Sequence, residues 1–147
     1  MDASMTLAEE AAIAWACERL IHHYAMLNDR GDFHAMAAMF TEDGAFARPT
    51  QPDAPIHGRD KILETFLSRP PRFTRHLISS VVITVEDAAH ARGHSYLSLH
   101  SGQAGDALPR QAEPAWLIGD FHDRFVLEDG AWKFSERRGS LALKVGG

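Results

Sequence analysis

The stretch FTRHLISSVVITVED, residues 73–87, sets Arg75 and His76 at the mouth of a run of β-branched residues. β-Branched side chains favour a strand, and imidazole is the side chain whose ordinary titration falls nearest neutral pH. His76 therefore either bonds a backbone carbonyl at a strand end or moves protons. In HARGHSYLSLH, residues 90–100, His94, Tyr96, Ser98 and His100 alternate with Ser95, Leu97 and Leu99. On a strand the first four share one face. That face either lines a cavity, where His94, Tyr96 and His100 would meet a substrate, or is the solvated side of an antiparallel sheet. His94 and His100 would stand about 20 Å apart on an extended strand, too far to share a metal. His76, one of these histidines and a carboxylate could make a two-His-one-carboxylate site, but no spacing is diagnostic and no metal or cofactor is expected. Arg137, in SERRG, either orients a carboxylate or halide or pairs with Glu136 or Glu128 at a solvated strand end.

The 147 residues, 45% hydrophobic, suit one domain spanning 1–147 with a sizeable core. Fifteen Lys and Arg against 20 Asp and Glu give a net charge of −5, and the longest basic run is the pair Arg137 and Arg138. Nucleic acid is excluded as a partner, because neutralising phosphates takes many cations on one face. Cys17 has no second cysteine to bridge, which suits a reducing compartment. The first residues carry Asp2, Glu9 and Glu10 where a signal peptide needs basic groups, and no apolar run approaches the roughly 18 residues of a membrane span. The expectation is a soluble cytoplasmic protein that makes no use of a membrane.

Elements must position these groups. Thr6 and Glu9 have capping-box spacing, which starts a helix near Leu7. Ile13, Cys17, Leu20, Tyr24 and Leu27 form its apolar stripe, Asn28 and Asp29 lie in its last turn, and Gly31 stops it. Asp32 caps a second helix, FHAMAAMF, and TEDG turns the chain into a short strand, AFARP. The proline-rich PTQPDAP is a loop, and GRDKILETFLS is a third helix with Ile62, Leu63, Phe66 and Leu67 inward. Four long strands follow, at 76–87, 90–100, 114–130 and 131–145, with the polar loop SGQAGDALPRQAE placed to close over a pocket. Trp15, Trp116 and Trp132 are expected in the core. Helices first and strands afterwards predict an α+β fold, three N-terminal helices covering one face of a sheet that curls into a cone with a cavity inside.

The ordered set YAMLNDRGDF, MFTEDGAF, IHGRDKI, TRHLISSVVI and GDFHDRFVLEDGAWKFSERR, over residues 10 to 140, resembles the SnoaL-like branch of the nuclear transport factor two-like superfamily. The resemblance implies a cone-shaped α+β barrel with a mixed or antiparallel sheet, a buried cavity, and homodimers or homotrimers formed through the sheet. Within the superfamily the sequence is similar to the branch of scytalone dehydratase, bile-acid 7α-dehydratase and hexachlorocyclohexane dehydrochlorinase. These lyases share an Asp at the end of the first helix and a His at the start of the strand after the third. Asp29 and His76 fall on those positions, Tyr24 on a tyrosine of the bile-acid enzyme, His100 on a second histidine of scytalone dehydratase, and Arg137 on a cavity-facing position of the dehydrochlorinase. Another scytalone dehydratase tyrosine falls on Asn28, so substrate class does not carry across.

The resemblance gives these residues work. An aspartate accepting from one imidazole nitrogen fixes the tautomer and leaves the other as a base. His76 would then remove a proton beside a carbonyl while Tyr24 donates to the developing oxyanion. Arg75 is the competing partner for Asp29. The implied activity is a cofactor-independent lyase or isomerase acting on an apolar, cyclic, carbonyl-bearing small molecule. The rival class is a non-catalytic subunit like the β subunits of ring-hydroxylating dioxygenases, or a binding protein that keeps the cavity without turnover.

Overall fold

The computed structural model describes residues 4–147. Helix α1, Leu7–Arg30, begins where the Thr6 hydroxyl accepts from the Glu9 N–H at 3.1 Å, and ends at Gly31, whose φ of 76° is the left-handed conformation a helix stop requires. Its buried residues are Cys17, Ile21, Tyr24 and Ala25, close to the expected stripe. Helix α2, Phe33–Ala37, is shorter than its sequence predicts, because Phe40 already begins strand β1, Phe40–Ala47. The TEDG segment is thus an irregularity inside β1 rather than a turn before it: β1 pairs Phe40 with Phe134 and then resumes at Ala45 with Glu136. The edge pair β2, Ile56–His57, precedes α3, Arg59–Leu67, which buries Ile62 and Phe66 but leaves Leu67 half exposed, contrary to expectation.

Strands β3, Thr74–Asp87, β4, His90–Ser101, β5, Trp116–Glu128, and β6, Ala131–Val145, complete one six-stranded sheet in the order β2-β1-β6-β5-β4-β3. All neighbours are antiparallel except β1 with β6, so the sheet is mixed. Asp129 and Gly130, both at positive φ, make the two-residue turn between β5 and β6. The helices cover one face, where Tyr24, Phe40, Phe46, Phe121, Phe125 and Phe134 form the core. Of the three tryptophans expected in the core only Trp132 packs against it: Trp15 is exposed, with Arg19 over its ring, and Trp116 is partly buried and stacks on His100.

Two register shifts decide what faces inward. In β3, Ser80 has φ 52° within the shift between Ser79 and Val82, so the inward positions change from Thr74, His76 and Ile78 to Val81 and Ile83. In β6, Phe134 pairs with Phe125 and Glu136 with Arg124, so β6 spends one more residue than β5 across that step. The inward face moves from Phe134 to Arg137.

Candidate active site

Asp29 sits in the last turn of α1, where the helix end meets the start of β3. Its Oδ1 lies 2.5 Å from His76 Nδ1 and accepts from the Thr74 hydroxyl at 2.9 Å, while Oδ2 accepts the His76 backbone N–H at 2.9 Å. Burial pushes the Asp29 carboxyl up, but the His76 side-chain and backbone bonds and the Thr74 bond outweigh it and hold the group below the usual carboxylate range. An ionised Asp29 can only accept, so Nδ1 carries the proton, and in the neutral imidazole the lone pair is then on Nε2. Arg75 does not compete: it donates to the Thr74 carbonyl and lies over the Phe73 ring.

His76 lines a cavity of about 320 Å³ between the helices and the inner face of the sheet. Its walls are mostly apolar, with Phe46, Phe66, Ile78, Leu97, Leu99 and Phe121 among them. Tyr24 and Arg137 line it as well. The Tyr24 hydroxyl is buried without a hydrogen-bond partner, and burial raises its pKa well above the ordinary phenol value, so it stays a donor. The packing at Gly139 helps shape the wall: a Cβ there would stand 2.6 Å from Pro49, another lining residue.

Arg137, read from the sequence as either a substrate-orienting or a solvated strand-end group, is fully buried and faces the cavity. Its guanidinium carbon lies 4.4 Å from the Tyr24 ring centre and 3.9 Å from that of Phe121. Behind it, Nε stands 3.5 Å from Oδ1 of Asp123, close enough for an ion pair though neither group makes a hydrogen bond. Burial pushes the Asp123 carboxyl up to about 6, with the charges of Arg137 and His94 pulling the other way. Asp123 is the residue sequence reasoning missed. Its signal was an acid between Phe121 and Phe125 at the alternation of a buried face.

His94, Tyr96 and His100 do not line the cavity. On β4 the inward positions are Ala91, Gly93, Ser95, Leu97 and Leu99, and the histidine-bearing face is the outer one. There His94 Nε2 lies 2.7 Å from Asp120 and stacks on His122, and His100 stacks on Trp116. Ligand atoms of His94, Asp120 and His122 lie within 4.8 Å of one another, the one group among the described residues spaced to hold a metal ion. The 101–113 loop does not border the cavity either; its Arg110 covers the Phe73 ring, and the walls near the opening come from 48–50 and 69–72.

Among the described residues no helix is long and apolar enough to cross a membrane. No significant relative was found among curated proteins. Among solved structures, a scytalone dehydratase candidate from Novosphingobium aromaticivorans DSM 12444 superposes with a TM-score of 0.81 at 23% identity, over 95% of this chain and 91% of that one. A type 2 hexachlorocyclohexane dehydrochlorinase gives 0.79 at 15% identity, over 95% and 92%. A variant of a protein of unknown function from Mycobacterium tuberculosis gives 0.75 at 25% identity, over 95% and 78%. These likenesses agree with the α+β cone, and the SnoaL-like domain model matches residues 9–138: the chain belongs to the SnoaL-like domain family.

Proposed function

We propose that this protein is a lyase or isomerase that needs no cofactor and works on an apolar, cyclic, carbonyl-bearing small molecule. The observation that carries the reading is the Asp29–His76 pair, 2.5 Å apart, at the wall of an apolar cavity. His76 Nε2 takes the proton from the carbon beside the carbonyl, and the electron pair moves to the carbonyl oxygen, which Tyr24 stabilises by donating its O–H. The enolate then either expels hydroxide from the next carbon, which leaves as water with the proton from His76, or recovers that proton at a different carbon. The first outcome is dehydration, the second isomerisation. That two structures of this fold carry the names dehydratase and dehydrochlorinase is consistent with elimination chemistry.

The test is exchange of carbon-bound protons. A panel of cyclic ketones, 2-tetralone among them, is incubated with the protein in D2O and followed by NMR. Wild type is expected to accelerate exchange beside the carbonyl, and His76→Ala or Asp29→Asn to lose about 10² to 10⁴ of that acceleration. Exchange that survives both substitutions within a few-fold contradicts the assignment. A panel with no exchange above buffer favours binding without turnover.

A further inference from the structure

The cavity is charged in a way the proton-transfer reading does not use. Among its described lining residues four are arginines, Arg48, Arg69, Arg72 and Arg137, and none is an aspartate or glutamate. This holds in a chain whose net charge is −5. The arginines are graded by depth: Arg72 is exposed, Arg48 and Arg69 are half-buried, and Arg137 is wholly buried. Arg137 has Asp123 behind it, but among the described residues the other three form no ion pair with any carboxylate.

Several buried donors of Arg48, Arg69 and Arg137 are also unspent. Nε of Arg48 and Nε of Arg69 are buried without a partner, and all three guanidinium nitrogens of Arg137 are in the same condition. Arg69 spends one Nη2 bond, at 3.1 Å, on the neutral oxygen of Asn28 and lies over the rings of Phe33 and Phe66. Asp29, whose charge reaches Arg72, already accepts three hydrogen bonds. Burial first, and then the charges of Arg72 and Arg48, push Arg69 down to about 10. Cations so placed attract anions into a low-dielectric cleft and bind them through charge-assisted bonds.

We infer that Arg48, Arg69 and Arg72 form a collar for an anionic group, a carboxylate, on the apolar ligand that occupies the cavity, so that the ring body lies against Leu97, Leu99 and Phe121 while the anion stays among the guanidiniums at the opening. The inference deepens the proposed function and rests on its reading of the cavity as the ligand site. The volume of about 320 Å³ lies at the small end of the range for ligand pockets, about 300–1,000 Å³, which suits a compact ring system.

The test is a matched pair of probes with one ring body, 2-naphthoate and 2-naphthamide, titrated calorimetrically into the full chain at pH 7.5 and low salt. The carboxylate is expected to bind about tenfold tighter or more. In an Arg48→Gln, Arg72→Gln double variant the preference is expected to fall below about threefold, with amide affinity unchanged within about twofold. If that variant does not fold, wild type decides through salt: raising it from about 20 mM to 500 mM should cut the preference several-fold, since the opening is exposed to screening. Equal affinities, binding of neither probe up to millimolar concentration, or a preference that resists both the substitutions and salt overturns the collar. His76→Ala is expected to keep the carboxylate preference. Wild type that shows the preference but no proton exchange would therefore sink the reaction alone, and wild type that shows exchange without the preference would sink the collar alone.

Discussion

The two faces of the sheet each hold a histidine against an aspartate, and the environments differ. On the inner face His76 and Asp29 stand 2.5 Å apart with side chains 11% and 9% exposed; on the outer face His94 and Asp120 stand 2.7 Å apart with 44% and 23% exposed. Adjacent arginines divide the same way. Arg137 is buried beside Asp123, while Arg138 pairs with Glu136 in partial exposure to solvent. An exposed pair gains little, because water competes for both partners and screens them. A buried one is either costly or useful. The inner pairs border a cavity, and that is the physical reason to assign chemistry there and none to the outer histidines.

The largest expected effect on this contrast is on stability. Asp123→Ala leaves Arg137 buried without a counter-charge and should cost about 3–5 kcal/mol, whereas Glu136→Ala, which strips the outer Arg138, should cost less than about 1 kcal/mol. Urea unfolding at pH 7.5 measures both, and equal losses would break the contrast. Next comes pH. The folded Asp29 carboxyl titrates below its unfolded value of about 3.9, so its stabilisation is fully present above that value and is lost as pH falls through the lower folded one. Asp29→Asn should therefore cost about 1.5–3 kcal/mol at pH 7, with the gap to wild type closing below about pH 4. Asp120→Asn should show a difference under about 1 kcal/mol in the same melts. The smallest effect is on the outer histidines themselves: His94→Ala and His100→Ala should leave proton exchange within about twofold of wild type. A tenfold loss in either would bring the outer face into the mechanism.

Much of this contrast could be read before the structure, and the failures have particular causes. The stripe of α1, its stop at Gly31 and the position of His76 at a strand mouth follow from local chemistry, and the resemblance joined Asp29 to His76 across 47 residues. Alternation alone groups His94, Tyr96 and His100 but cannot say which face of β4 turns inward. The helices decide that by packing over the face that carries Ala91, Gly93, Ser95 and Leu97. Arg137 was obscured by the extra residue of β6 beyond Phe134, since unbroken alternation would have turned Glu136 inward instead. The collar was invisible because Arg48, Arg69 and Arg72 come from two segments that only the closed fold brings to one opening.

Every step of the proposed chemistry depends on which nitrogen of His76 holds the proton. Two-bond nitrogen–proton correlation spectra of the imidazole in selectively labelled protein report this directly, with Asp29→Asn as the reference. At pH 7.5 Nδ1 should be protonated and Nε2 free in wild type, with that preference lost when Asp29 becomes an amide. A proton on Nε2, or a tautomer indifferent to Asp29→Asn, would contradict the account.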